Sequence, residues 1–257
     1  MALSPQALLK GLVQRTLPSL NSDSTNTDVS LRQATYGEIY NQPLVRKAHN
    51  LSDEGSYFVA NNAQTAIVPS YLTAYTATSP FITIFNNNTN PAYRVYLDYI
   101  NLVAAVAGTF ASGGVQTAAA VVIDQGNRFT SGGTPLTPQS TNMALAASTP
   151  NVVVNCGAIV ATAASGSVRT IVGQRNIRPA NSATVIGNIG DQLQLNFGSV
   201  EGNVNGSMVV TNPSFVPQSV PPIVIGPQQT ALVYIWYPGA TTPAAATYLP
   251  EIGFWVR

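Results

Sequence analysis

The chain has 257 residues, of which 45% are hydrophobic and only 8% are charged, whereas soluble domains average about 25% charged residues. Eleven Lys and Arg residues balance ten Asp and Glu residues to a net charge of +1. This balance lacks the clustered cations that bind nucleic acid, so we expect no nucleic-acid partner. A single cysteine, Cys156, and a single histidine, His49, exclude an intrachain disulfide and the usual zinc ligand sets of Cys and His.

The near-neutral balance also bears on association. With little charge repulsion between copies, a free monomer is expected to associate readily. No run of 18 uncharged apolar residues occurs in the sequence, so we expect no membrane partner.

The first 54 residues differ in composition from the remainder. They hold ten of the 21 charged residues, and such a shift predicts a polar N-terminal arm over residues 1–54 followed by a compact domain over residues 55–257. The arm comprises a short helix and an extended linker. Within the helix, Leu8, Leu9 and Leu12 fall on one face at helical spacing. A helix this short is marginally stable alone, so it is expected to dock on its own domain, on a neighbouring subunit or on another protein.

From Ser56 onward the sequence is typical of strands. Short β-branched and aromatic runs are bounded by Gly, Pro and Asn clusters, and no long amphipathic helix alternates with them, which makes a parallel α/β sheet improbable. We therefore expect an all-β fold, an antiparallel β-sandwich of the jelly-roll type, which has about eight strands. The predicted strand runs are SYFVA (56–60), FITIF (81–85), YRVYLDYINLV (93–103), AAAVVID (118–124), NVVVNCGAIVATA (151–163), SMVVT (207–211), PIVIG (222–226), ALVYIWY (231–237) and EIGFWV (251–256).

Two segments between the strands receive specific interpretations. SGGTPLTP at 131–138 is rich in turn formers and predicts a connection. IVGQRNIRPAN at 171–181 carries Arg175 and Arg178, and it is interpreted either as a solvated loop or as a contact with an acidic patch on a neighbouring subunit.

Strict alternation along residues 93–102 places side chains on two faces. Val95, Leu97 and Tyr99 share one face, and Arg94 and Asp98 share the other. The charged face is expected to be partly covered.

Candidate catalytic groups are sparse. The sequence contains no G-x-S-x-G motif, so no serine nucleophile of that type is available to His49. The ten acidic residues show no spacing that indicates a catalytic pair of carboxylates. Cys156 is expected to be a small buried hydrophobe, since no basic residue adjoins it. We therefore expect that the protein is not an enzyme and that it binds neither a cofactor nor a metal ion.

Aromatic residues concentrate near the end of the sequence, where Trp236 and Trp255 fall in strand runs. In the last run, Ile252 and Phe254 share a face with Val256, whereas Trp255 lies on the opposite face. Trp255 is expected to be buried either within one chain or between chains. Gly253 beside it would let another surface approach closely.

The charged arm, the segment DEGSYFVANNAQT at 53–65, the loops rich in Thr, Ala, Asn and Gly, and the final aromatic strand together resemble a virion protein of a tailed bacteriophage that coats or cements the capsid. The resemblance implies a β-sandwich or jelly roll that forms trimers on the capsid lattice. Its implied partners are the major capsid protein and copies of itself, and its implied location is the virion surface after synthesis in the host cytoplasm. The candidate interface residues are Leu8, Leu9, Leu12, Arg175, Arg178, Trp236 and Trp255.

Two alternatives stay open. A tail-fibre or receptor-binding domain that binds carbohydrate would need exposed aromatic platforms, for example Tyr71, Tyr75 or Trp236. A jelly-roll shell protein would instead assemble alone into closed particles.

Overall fold

The structure is a computed structural model that describes residues 47–106, 108, 117–144, 150–164, 166–176, 189–190, 192–198, 215–238 and 244–257. The predicted arm helix with Leu8, Leu9 and Leu12, and the predicted strand at 207–211, lie outside these residues. The described elements are α1 (Lys47–Asp53), β1 (Tyr57–Asn61), β2 (Ile82–Asn86), β3 (Val95–Val106), β4 (Ala118–Asp124), β5 (Phe129–Leu136), β6 (Gln139–Ser140), β7 (Val152–Ala161), β8 (Arg169–Asn176), β9 (Gln192–Phe197), β10 (Phe215–Val220), β11 (Val224–Ile225), β12 (Thr230–Trp236) and β13 (Thr247–Val256).

The strands form two sheets that pack as a β-sandwich. The first sheet has the order β10-β9-β3-β13-β1-β6, with β11 beside β3, and the second has the order β5-β7-β2-β12-β4-β8. Every pairing is antiparallel except that of β9 with β10, which is parallel. The predicted all-β sandwich is confirmed. Within the part of the chain that the structure describes, no helix is long and apolar enough to cross a membrane.

Four strand pairs are nested along the chain. β1 pairs with β13, β2 with β12, β3 with β9 and β4 with β8. The first and third pairs belong to the first sheet, and the second and fourth pairs belong to the second sheet. The chain therefore crosses from one sheet to the other between successive members of this series, and β5 to β7 are an insertion between β4 and β8.

The inner faces of the two sheets supply the main core, which includes Ile84, Ile100 and Phe254, all fully buried. Burying each such side chain contributes roughly 1.5–3 kcal/mol. In β12 the alternation is complete, because Ala231, Val233 and Ile235 face this core.

The other face of β12 supports a second hydrophobic cluster. Leu232, Tyr234 and Trp236 pack there with alanines and a valine of neighbouring strands. Tyr75 covers this cluster, with its ring centroid 4.8 Å from that of Tyr234 and 5.8 Å from that of Trp236. β12 is therefore buried on both faces.

Arg128 attaches the covering segment to the second sheet. It is 2% exposed, its Nη2 donates hydrogen bonds to the carbonyl oxygens of Ala77 and Thr162 at 2.6 Å each, and its Nε lies 3.6 Å from Oδ2 of Asp124. A buried ion pair of this kind is costly to break from one side only, because the remaining charge stays desolvated.

Two predictions about connections are wrong. The segment predicted as a connection at 131–138 contains most of β5, and the segment predicted as a solvated loop at 171–181 begins with β8 as far as Asn176. Both strands lie at the edges of the second sheet. An edge tolerates Gly and Pro because one side of the strand needs no ladder hydrogen bonds, and β5 accommodates Gly132 and Gly133 at positive φ between irregular pairings with β7.

Candidate functional site

A β-bulge in β3 shapes the outer face of the first sheet. Leu97 pairs with Phe254 and Tyr99 pairs with Gly253, so Asp98 is an extra residue with no partner across the ladder. Bulges bend a strand and redirect side chains. The predicted strict alternation along 93–102 is therefore wrong beyond Leu97, because the next buried residue is Ile100 and Tyr99 lies on the outer face.

Three aromatic rings form a row across this outer face. Tyr57 of β1, Trp255 of β13 and Tyr96 of β3 are direct cross-strand neighbours. The ring centroids are 6.5 Å apart for Tyr57 and Trp255 and 5.6 Å apart for Trp255 and Tyr96, with interplanar angles of 21° and 3°. Tyr57 is buried, whereas Tyr96 and Trp255 are partly exposed.

The last strand divides its side chains as expected. Ile252 and Phe254 are fully buried in the main core and Val256 packs against it. Trp255 lies on the outer face and keeps part of its surface exposed, so it is not fully buried within the chain.

Two carboxylates flank the row, and each accepts a hydrogen bond from a tyrosine. The hydroxyl of Tyr57 donates to Oδ2 of Asp98 at 2.7 Å, and the hydroxyl of Tyr99 donates to Oε1 of Glu251. Burial, followed by the hydrogen bond to the acid, raises the pKa of Tyr57 and that of Tyr99 above the usual value of 10. Both hydroxyls therefore stay protonated at neutral pH. We call Tyr57, Tyr96, Asp98, Tyr99, Glu251 and Trp255 the outer-face cluster.

Gly253 lets the tyrosines of this cluster cross the sheet closely. A Cβ at this position would lie 2.3 Å from Cε1 of Tyr99 and 2.7 Å from the hydroxyl oxygen of Tyr57. The expectation that Gly253 admits another surface needs correction, because the groups that approach it belong to the same chain.

A pocket of about 430 Å³ opens beside Asp98. It lies where β3 changes its neighbour from β9, paired from Tyr99 onward, to β11, paired at Tyr96 and Val95. The wall is mainly apolar and aromatic, and Asp98 is the one carboxylate or cation among the described residues that line it. The lining residues are Leu51, Tyr57, Tyr96, Leu97, Asp98, Phe197, Gly198, Pro222, Ile223, Val224 and Trp255.

The helix α1 borders this pocket and is attached to the end of β13. Leu51 of α1 is buried, and Nη2 of Arg257 lies 2.7 Å from Oε2 of Glu54.

The candidate interface residues from the sequence occupy different places. Leu8, Leu9, Leu12 and Arg178 lie outside the described residues, and Arg175 is described only by its backbone in β8. Trp236 is 7% exposed. Because Trp236 is buried, contact of its side chain with a partner is disfavoured. The prediction that it forms an exposed sugar platform is wrong.

The remaining expected sugar platforms also differ from one another. Tyr71 is partly buried and its hydroxyl donates to the carbonyl oxygen of Ala246 at 3.2 Å. Tyr75 is 45% exposed. Of the three aromatic residues, Tyr75 therefore presents the most surface.

The sequence did not indicate Tyr57 and Tyr96 as site residues. It placed Asp98 on one face of a strand but indicated no function for it. A bulge leaves no residue signature in β3, so the pairing of Asp98 with Tyr57 could not be predicted. The density of tyrosine around Asp98 in YRVYLDY was the one available signal.

Two further observations concern metal-ligating and nucleophilic side chains. They contain no group of three or more His, Cys, Asp or Glu side chains that could hold a metal ion. Cys156 is fully buried, as expected, and burial raises the pKa of its thiol well above its usual range. The cysteine is thus an unreactive core residue.

Comparisons with known proteins add no assignment, since no family model, no curated protein and no solved structure matches this chain.

Proposed function

We propose that this chain is a non-enzymatic structural protein of a bacteriophage particle, a cement or decoration protein that binds and reinforces the capsid shell. Its partners in this proposal are the major capsid protein and further copies of itself, arranged as a trimer on the capsid surface. The role involves no cofactor and no catalytic step.

The outer-face cluster is the observation that carries the proposal. A lone sandwich usually places polar side chains on the solvent face of a sheet, whereas Tyr96, Tyr99 and Trp255 lie there and each keeps part of its surface exposed. Tyr and Trp are enriched in the centres of protein interfaces. This face is therefore the surface on which we expect another protein to bind.

Two further features support an assembly role. We infer that the nested pairing of β1 with β13, β2 with β12, β3 with β9 and β4 with β8 belongs to a jelly roll, an architecture used by viral capsid domains and also by lectins. The fold alone does not select a function. The low charge of 8% suits burial between copies, because each unpaired charge costs desolvation energy.

Binding to particles tests the proposal. Purified chain is mixed with capsids that lack it, and bound protein is measured by co-sedimentation. We expect saturable binding by the full chain, a loss of binding on deletion of residues 1–30, and intact strand circular dichroism in that deletion. If the deletion variant binds as well as the full chain, the arm has no role in attachment. If the chain alone forms closed particles, the result favours the jelly-roll shell protein.

A tail-fibre or receptor-binding domain that binds carbohydrate is a second candidate, and it is favoured by Tyr75. Its ring is 45% exposed and rests edge-on against Trp236, as a sugar platform would. Screening the chain and its Tyr75→Ala variant against host polysaccharides tests this role, since a cement protein should bind none of them.

A further inference from the structure

We propose that the pocket beside Asp98 binds an arginine side chain that a second copy of this chain presents. The proposal rests on the proposed self-association and names the chemistry of one contact within it.

The first step is the charge of Asp98. This carboxylate is partly buried, and among the residues whose side chains the structure describes, no Lys or Arg forms an ion pair with it. The hydroxyl of Tyr57 donates one hydrogen bond to Oδ2 but brings no positive charge. A desolvated carboxylate is costly unless a cation neutralises it, so the pocket favours a cationic ligand over a neutral sugar.

The second step is the wall of the pocket. Tyr96 and Trp255 offer aromatic surface, and Leu51, Ile223 and Val224 offer aliphatic surface. Guanidinium is less strongly hydrated than ammonium, stacks on aromatic rings and pairs with a carboxylate through two nitrogens. The aliphatic stem of arginine would pack on the apolar wall. Together these properties select arginine over lysine.

The third step is the source of the arginine. Arg128 and Arg257 already pair with Asp124 and Glu54. Arg94 and Arg169 are both exposed and form no ion pair with a described residue. We choose Arg169 because it begins edge strand β8 of the second sheet, whereas the pocket lies on the first sheet.

The position of Arg169 also fits a closed assembly. β8 lies at the edge of the second sheet, whereas the pocket lies on the outer face of the first. A contact between two different surfaces is heterologous and can close into a ring such as a trimer. It would also give the cationic segment of β8 the acidic partner that the sequence suggested.

A fluorescence titration tests the chemistry of the pocket without assembly. In a Trp236→Phe background, Trp255 is the remaining tryptophan and reports on the pocket. N-acetylarginine amide is compared with N-acetylcitrulline amide, which has nearly the same shape and no charge, and with methyl glucoside. We expect a saturable change with the arginine compound at millimolar concentration and at least tenfold weaker binding of the other two. Equal responses to arginine and citrulline, or a stronger response to the glucoside, would overturn the proposal.

Variants locate the response. Asp98→Asn should abolish it, whereas Glu251→Gln, which removes the carboxylate of the cluster that does not line the pocket, should retain it. An arginine response that survives Asp98→Asn would refute the assignment. The citrulline comparison uses unaltered Asp98, so it decides the matter even where a variant fails to fold.

Sedimentation of the full chain then tests the source. Arg169→Gln should weaken association at least tenfold, and Arg94→Gln, which removes another exposed arginine, should leave it unchanged. If Arg169→Gln leaves association unchanged, Arg169 of the second copy is not the arginine that enters the pocket. If the chain binds arginine but stays a monomer, the result supports the pocket chemistry and contradicts self-association. If the chain associates but does not bind arginine, the result supports self-association and contradicts the pocket chemistry.

Discussion

Replacement of Gly253 by alanine tests the close packing of the outer-face cluster. Gly253 has no positive φ, so alanine is compatible with its backbone and any cost is steric. The new methyl group would lie 2.3 Å from Cε1 of Tyr99 and 2.7 Å from the hydroxyl oxygen of Tyr57, where ordinary contacts begin at 3.4 Å. The ring of Tyr99 must therefore shift by about 1 Å (3.4 minus 2.3).

The magnitude follows from what this shift disturbs. Overpacking costs about 1–3 kcal/mol, and weakening the hydrogen bonds from Tyr99 to Glu251 and from Tyr57 to Asp98 adds roughly 1–2 kcal/mol. We expect Gly253→Ala to lower the free energy of unfolding by about 2–5 kcal/mol. Urea unfolding monitored by circular dichroism measures this change.

Gly173 provides a matched control. It is also a strand glycine without a positive φ, and a Cβ there would meet nothing within 4 Å. Gly173→Ala should change stability by less than about 0.5 kcal/mol or raise it slightly. In a Tyr99→Ala background, the cost of Gly253→Ala should fall by more than about 1 kcal/mol. Equal effects of Gly253→Ala and Gly173→Ala would refute the reasoning.

Three further predictions concern the cores. Burial raises the pKa of Tyr234 and of Tyr237 above 10, so the unfolded chain loses these protons first. Stability should be unaffected by these groups below about pH 9 and fall above pH 10 by about 1.4 kcal/mol per pH unit for each tyrosine, and urea unfolding of Tyr237→Phe should show a slope shallower by that amount. Arg128→Met removes the guanidinium beside buried Asp124 and should lower the free energy of unfolding by about 3–5 kcal/mol, measured by urea unfolding, against less than about 0.5 kcal/mol for exposed Arg94→Met. Cys156 should resist a thiol reagent in the native chain and react fully in guanidinium chloride, and rapid native labelling would contradict its burial.

The strands that the sequence predicted are those whose burial dominates their composition. β4 begins and ends at the predicted residues, Ala118 and Asp124, because small apolar residues are buried on both of its faces. The run predicted for β12, 231–237, differs from the observed strand Thr230–Trp236 by one residue at each end. Such central strands carry their structural signal in every side chain.

The strands that the sequence did not predict lacked that signal. β5 contains two glycines and a proline, and β9 alternates Gln and Asn with apolar residues in a segment that no strand run had included. Their pairing depends on neighbouring strands already in place, so tertiary context overrides local propensity.

The candidate site could be predicted only in part. The opposite faces of Phe254 and Trp255 follow from strand alternation and were predicted. The bulge at Asp98 depends on the register between β3 and β13, which no local pattern encodes, and it is this register that brings Asp98 next to Tyr57.

The mass of the chain in solution tests most directly the claim that the outer-face cluster mediates assembly. Sedimentation equilibrium is measured over a wide range of concentrations for the full chain and for Trp255→Ala, with circular dichroism to verify folding. The proposed role predicts a trimer for the full chain and a folded monomer for Trp255→Ala. A full chain that stays monomeric at high concentration, or a Trp255→Ala variant that associates as tightly as the full chain, would contradict it.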